Sequence, residues 1–310
     1  MVAAPALSVV VLADRFVTIR RLVEHLRAQT IADRIELVVA CPFPAGFAQP
    51  TGANGLARIA VVETPLLPMG PARAAAVRAA KAPVVVLGEA HAFPEPDWAE
   101  RLVEAHRAQW GGVAPGLRNA NPEGALSWAG FLMDYGRWLA EAPSNGEIRA
   151  PPTYNGSWKR DALLTCGESL PQLLDLGTPL EADLAARGER FAHEPRARVA
   201  HLNVARPGPW AAERYFGGRL FAACRSRRWS VARRILYASG FFLVPPLRLL
   251  RTYPASRVAR LGSPLPRGTL LAVALGSALW ALGEAVGYLA GAGHAEARML
   301  EYEMHKERFA

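Results

Sequence analysis

Glu89 and His91 stand just past an unbroken apolar run in VVVLGEAHAFPEPDW, Val84 to Trp98. The Val84–Leu87 run has the length and composition of a buried strand. Residues two apart on an extended chain point their side chains the same way. A carboxylate and an imidazole side by side at a strand end can hold Mn2+ or Mg2+, with the oxygens of a bound diphosphate completing the shell. Taken alone the pair is weak, because Glu-x-His is short enough to arise by chance and a surface turn with two polar residues accounts for it as well.

The elements that must position this pair follow from hydrophobic periodicity. Leu7–Leu12, Ile35–Ala40, Ile59–Glu63 and Val84–Leu87 read as strands, and Phe16–Gln29, Pro71–Ala80 and Asp97–Gln109 as helices between or after them. Continuous Val/Leu strands separated by helices predict a mostly parallel sheet with helices on both faces, an α/β layout of the nucleotide-binding type. In such sheets ligands sit beyond the carboxyl ends of strands near a topological switch point, which is where Glu89 and His91 fall. The Pro/Gly-rich stretch from Cys41 to Gly55 reads as loop. Residues 111–156 read as irregular apart from a helix near Ser127–Leu139, and a second α/β passage covers Trp158–Cys166, Leu180–Arg187 and Arg190–His201.

Composition narrows the class. The 310 residues carry a formal charge of +9, yet ten arginines and no acidic residue lie between Arg225 and Arg267, so the rest of the chain is close to neutral. These arginines are interleaved with RILYASGFFLVPPLRLL and followed by the apolar stretch Gly268–Gly293. Arginines beside apolar helical segments suit an anionic membrane surface better than a nucleic-acid groove, and no nucleic-acid partner is expected. Pro245-Pro246 is expected to interrupt any single span over 235–252. The later stretch is long enough to cross a bilayer, to lie in its interface, or to pack as a buried helix, and a membrane-docked helical hairpin is the preferred reading. Cys41, Cys166 and Cys224 are far apart with no paired spacing, so neither a disulfide framework nor a cysteine zinc site is expected, and a reducing cytoplasm fits. The opening MVAAPALSVVVLADR has no basic stretch before its apolar run and reads as a first core strand rather than a signal peptide.

Four segments in one order carry a resemblance. They are LSVVVLADRFVTIRRLVEHLRAQTIADRIELVVAC, GPARAAAVRAAKAPVVVLGEAHAFPEPDWAERLVEAH, YNGSWKRDALL and LEADLAARGERFAHEPRARVAHLN. Together, over about Leu7 to Asn203, they resemble a family 2 glycosyltransferase of the GT-A fold, in a subgroup with Glu-x-His where the family has DxD. The resemblance implies a GT-A domain over 1–205 and a basic, apolar helical region over 206–310 that associates with the membrane.

It also implies an activity: inverting, metal-dependent transfer of a sugar from a nucleotide-sugar, a UDP-sugar by expectation, to a glycan or lipid-linked acceptor. The setting would be polysaccharide biosynthesis at the cytoplasmic face of the cell membrane. Glu89 and His91 would hold Mn2+ or Mg2+, the nitrogen donor favouring Mn2+, and His201 would complete the shell. Glu181 takes the place of the family's catalytic base, with Asp183 in reserve; a helix-start residue stabilised by the dipole is the plainer reading of Glu181. The family's Asp after the second strand is missing, since this chain has Ala40-Cys41. Donor recognition then falls to Ala13 and Asp14 in the turn after the first strand, to Glu63, to Arg73, and to Asn155 and Trp158, the latter by its ring face. Arg73 reads equally as an ordinary exposed helix arginine. Trp128 and Tyr135 would serve the acceptor side. The missing Asp also motivates an alternative, a catalytically weak relative acting as a binding or scaffold protein in glycan assembly.

Overall fold

The computed structural model describes residues 4–44, 55–142, 146–177, 180–262 and 264–310. Contacts along the chain separate it into two units. The first comprises Met1–Arg118, Ala142–Leu174 and Pro179–His201, and the second Asn119–Glu141, Asp175–Thr178 and Leu202–Ala310.

The first unit contains β1 (Leu7–Leu12), α1 (Phe16–Arg27), β2 (Ile35–Cys41), β3 (Arg58–Glu63), α2 (Met69–Ala79), β4 (Val84–Leu87), β5 (Ala92–Pro94), α3 (Trp98–Ala105) and β6 (Gly112–Asn119). After α4 (Ala125–Tyr135), which belongs to the second unit, it resumes with β7 (Gly146–Ile148), β8 (Ser157–Lys159), α5 (Arg160–Thr165), α6 (Leu170–Leu173), α7 (Leu180–Ala186) and β9 (Phe191–His201). The strands form one mixed sheet in the order β3-β2-β1-β4-β8-β6-β9-β5, with β7 also on β9. The β3-β2-β1-β4 half is parallel and flanked by helices, as the continuous apolar strands require. β1 and β2 are buried along their whole length. In α1 the buried residues are Ile19, Leu22, Val23 and Leu26, the i, i+3, i+4, i+7 stripe of a helix packed on one side.

Two features depart from the sequence reading. Gly112–Asn119 is an eight-residue strand instead of irregular chain; Gly and Pro interrupt its apolar residues, so periodicity gives no sign of it. No single helix spans 235–252, as expected, but Pro245-Pro246 begins the second helix instead of ending the first, lying in the first turn of α10 (Val244–Gly262), where a missing N–H costs nothing. Residues 45–54 of the expected Cys41–Gly55 loop lie outside the described residues, as do 143–145.

A charged residue within β2 also has its reason. Glu36, fully buried, accepts hydrogen bonds from Ser8 Oγ at 2.6 Å, Lys81 N at 2.7 Å and Arg58 Nη1 at 2.7 Å. A buried carboxylate is tolerable only when satisfied in this way, and this one ties three strands and the α2–β4 turn together at the amino end of the sheet.

The second unit is helical: α4, α8 (Pro207–Arg225), α9 (Val231–Ser239), α10, α11 (Thr269–Ala290) and α12 (Ala295–His305). α8 and α11 pack backbone to backbone. A Cβ on Gly218 would lie 2.2 Å from Trp280 O, and one on Gly283 would lie 2.1 Å from Tyr215 O. Arg214 is buried between Asp134 Oδ1 and Glu213 Oε2, each at 2.9 Å, with Lys306 Nζ 3.5 Å from Glu213. By length and composition alone α11 could cross a membrane, and half of its most apolar window is buried inside the unit.

Candidate metal and donor site

β4 lies between β1 and β8, its residues Val84–Leu87 in parallel register with Leu7–Val10. Chain order in the parallel half runs β3-β2-β1 in one direction and then jumps to β4, so the switch point lies between β1 and β4. Gly88 follows directly, its N–H donating to Val10 O at 2.8 Å. A Cβ here would stand 2.9 Å from Val9 Cγ1 and 3.1 Å from Val11 Cγ1, so a side chain would push the strand end off β1.

The strand does not continue through His91. Glu89 to Ala92 is a turn closed by Ala92 N–H to Glu89 O at 3.2 Å. Glu89 and His91 are therefore brought together by a turn rather than by strand alternation. The turn leads into β5, which pairs antiparallel with β9 so that Ala92 faces His201. This pairing delivers the third group.

His91 Nε2 and His201 Nε2 are 3.1 Å apart. Glu89 places Oε2 3.2 Å from His201 Nε2 and Oε1 3.7 Å from His91 Nε2. All three residues are buried, and one ligand atom from each lies within 4.8 Å of the others. Two nitrogen ligands at right angles on one ion, with bonds of about 2.1 Å, would be about 3.0 Å apart. The imidazole separation fits adjacent coordination positions. Two imidazoles and a carboxylate suit a divalent transition-metal ion better than Mg2+.

Asn155 holds the carboxylate from the other side. Its Nδ2 donates to Glu89 Oε2 at 2.5 Å. Its N–H donates to Leu87 O at 2.7 Å, and the residue sits at φ 61°, a left-handed conformation that Asn tolerates better than most. A hydrogen-bonded partner behind a ligating carboxylate fixes its orientation. One residue earlier, Tyr154 donates its hydroxyl to Leu174 O at 2.9 Å and accepts from Arg73 Nη1 at 3.1 Å, while the Arg73 guanidinium lies 4.1 Å from the centre of its ring. Arg73 is buried on α2 and is not an exposed helix arginine. It anchors the loop that carries Asn155. Tyr154 escaped the sequence reading, since nothing in TYNG distinguishes a ring that supports a neighbour from one that does not.

No family model matches the chain, and no curated protein matches it. Among solved structures the chain is similar to the mannosyltransferase PcManGT from Pyrobaculum calidifontis in complex with GDP-Man and Mn2+. The identity is 19%, with 96% of this chain and 87% of that chain covered at a TM-score of 0.49. It is also similar to S. aureus TarS 1-349, at 15% identity, 98% and 90% coverage and a TM-score of 0.43. For TarS 1-349 in complex with UDP the figures are 13%, 96% and 91%, and 0.43.

The remaining expected site residues distribute as follows. Ala13 and Asp14 follow the carboxyl end of β1, next to the end of β4. Ala13 N–H donates to Ala40 O at 3.0 Å, and Asp14 accepts from Thr18 Oγ1 and Arg15 Nε, the former at 2.5 Å. Cys41 Sγ lies 3.6 Å from Asp14 O, so the Ala40-Cys41 pair supports the turn that bears Asp14. Glu63 is exposed at the end of the edge strand β3, opposite Cys41.

Glu181 and Asp183 lie in the first turn of α7; Thr178 and Pro179 before them are outside the described residues. Burial raises the Glu181 carboxyl above its ordinary range, while its own backbone N–H and Arg149 pull it down. Asp183 is engaged differently. Arg187 Nε donates to it at 2.7 Å and holds its carboxyl below the usual range, with Cys166 Sγ 3.6 Å away.

Three aromatic residues are packed rather than presented. Trp158 is 0% exposed, covered by Phe191 and Gly112, with Nε1 donating to Thr153 O at 3.3 Å. It has no ring face to offer a sugar. Trp128 and Tyr135 are buried on α4 in the second unit, Trp128 donating Nε1 to Pro122 O at 2.8 Å. Aromatic residue type signals apolar area equally in a core and under a ligand, which is why the sequence could not separate the two.

Proposed function

We propose that this chain is a metal-dependent, inverting glycosyltransferase of the GT-A type, moving a sugar from a nucleotide-sugar, a UDP-sugar by preference, onto a glycan or lipid-linked acceptor. The observation that carries this reading is the buried Glu89/His91/His201 set at the carboxyl end of β4, at the switch point of a parallel sheet. Glu89, His91 and His201 would hold Mn2+ or Mg2+. When bound, the ion supplies positive charge to the diphosphate that leaves.

The chain's own groups divide the remaining work. Asn155 orients Glu89, and Arg73 steadies the Asn155 loop through Tyr154. Asp14 and Ala13 border the donor at the end of β1, with Glu63 further along the same edge. Glu181 takes the proton of the acceptor hydroxyl as that oxygen attacks the anomeric carbon from the face opposite the diphosphate. Burial raises the pKa of this carboxyl, which makes its ionised form a stronger base. Asp183, bound to Arg187, is the weaker candidate.

A thermal-shift panel of nucleotide-sugars with and without Mn2+ tests the reading. Stabilisation by one donor only in the presence of metal is the expected result, since a ligand at a hundred times its Kd stabilises by about 2.7 kcal/mol. Ala40-Cys41, in place of a donor-gripping acid, favours a second reading as a binding protein. That reading predicts donor binding without transfer or donor hydrolysis.

A further inference from the structure

In the second unit two helices turn a row of leucines outward while part of their inward face is small or polar. On α10 the buried residues are Thr252, Ser256 and Ala259, while Leu247, Leu250, Tyr253 and Leu261 are exposed, Leu250 by 71% and Leu261 by 79%. On α11 Ser277, Gly283, Glu284 and Gly287 turn inward beside Val273, Trp280 and Tyr288, while Leu271, Leu275, Leu282 and Leu289 form an exposed stripe, Leu271 by 65%. Positions 275, 282 and 289 are seven apart, which keeps them on one side of a helix. Water drives leucine in and leaves serine and threonine out. Small residues inward and leucines outward is the arrangement helices adopt when the surrounding medium is itself apolar.

Charge identifies the medium further. Exposed arginines, Arg251, Arg257 and Arg260, sit among the leucines of α10, and Arg233 on α9 lies 4.1 Å from the centre of the Trp229 ring, next to exposed Val231, Ile235 and Leu236. No acidic residue occurs from Arg225 to Arg267. A face that crossed the hydrocarbon would not carry guanidinium groups between its leucines. A face lying at headgroup depth would, with leucines in the acyl boundary and arginines on lipid phosphates.

We propose that the outward faces of α9, α10 and α11 form a monotopic docking surface for an anionic lipid bilayer, inserted to the headgroup boundary without crossing. The surface is independent of the metal site and of the reaction assigned to it.

Flotation of the full-length chain with vesicles tests this, comparing phosphatidylcholine mixed with phosphatidylglycerol against phosphatidylcholine alone. The expected result is recovery with the anionic vesicles and at least about tenfold less with the neutral ones, because several arginines would lose their anionic partners at once. Two variant sets separate the components. Leu250→Ser with Leu261→Ser and Leu271→Ser removes apolar contacts, and Arg251→Gln with Arg257→Gln and Arg260→Gln removes charge. Each set should lower recovery about tenfold or more while the thermal melt is retained, since all six side chains face outward.

Recovery unchanged in both sets, or no flotation of the wild-type chain, overturns the proposal. A stable dimer in light scattering that the leucine set dissolves, without vesicle binding, would assign the face to a second copy. RNA binding lost only in the arginine set, again without vesicle binding, would assign it to nucleic acid. Retention on vesicles through an alkaline carbonate wash would overturn the interfacial placement in favour of a span.

Discussion

The Nε2 atoms of His91 and His201 are 3.1 Å apart although the residues are 110 positions apart in the chain. The pairing of β5 with β9 sets this distance, because Ala92, the neighbour of His91, lies opposite His201 in the ladder. A ligand pair built on strand pairing is rigid before the ion arrives, and preorganisation of this kind favours binding.

His201→Ala removes one nitrogen donor and leaves Glu89 and His91 in place. Mn2+ affinity, read by calorimetry on the purified chain, should fall by about a hundredfold, as expected for loss of a direct ligand where even a supporting residue is worth 10–100-fold. Unchanged affinity would remove His201 from the metal shell.

Asn155 combines a backbone constraint with a side-chain one. Asn155→Gly keeps the left-handed conformation and loses the hydrogen bond to Glu89, so metal affinity should drop while stability changes little. Asn155→Ala adds the steric cost of a positive φ, about 1–2 kcal/mol, visible as a lower urea midpoint than that of the glycine variant. Equal midpoints would contradict the backbone argument.

Glu181→Gln should lower transfer by about 10²–10⁴-fold while donor binding is kept, whereas Asp183→Asn should leave transfer intact and cost at most a few tenths of a kcal/mol from an exposed i,i+4 pair. The Glu181 carboxyl must be ionised to accept a proton, and its pKa is raised. The acid limb of the rate profile should therefore lie at higher pH than an ordinary glutamate gives, and it should be absent from the residual rate of Glu181→Gln. Loss of transfer in Asp183→Asn instead would exchange the two roles.

His106 makes stability pH-dependent in a direction that can be checked. It is buried, its Nε2 2.9 Å from Ser157 Oγ, which in turn donates to Val113 O. Burial pushes its pKa from 6.5 down to about 4. The unfolded chain takes up this proton first, so the contribution is intact above about pH 6.5 and is lost as the pH falls towards 4, at about 1.4 kcal/mol per unit and about 3 kcal/mol in all. Urea midpoints across this range should fall more steeply in the wild-type chain than in His106→Asn. Parallel slopes would show that His106 is not the group responsible.

Much of the parallel half of the sheet was legible because β1, β2 and β4 are unbroken apolar runs, and a run of that kind has few fates other than a buried strand. The outward leucines of α10 and α11 could not be read in the same way. Leu250 and Leu261 look like core residues in the sequence, and only the packing shows that Thr252, Ser256 and Ala259 take the inside.

The sequence by itself determined where a strand would end and which two polar groups would follow it, because hydrophobic periodicity is a local property that a window of a few residues contains. Tertiary structure decided how the site closes. A turn, not strand alternation, converges Glu89 and His91, and β9 brings His201 beside them. It also decided that Asn155 reaches the Glu89 carboxylate, that Trp158 is sealed in the core with no face for a sugar, and that Arg73 packs on Tyr154. These are choices among residues far apart in the chain, made by strand register and by competition for buried hydrogen-bonding positions, and neither leaves a mark on local composition.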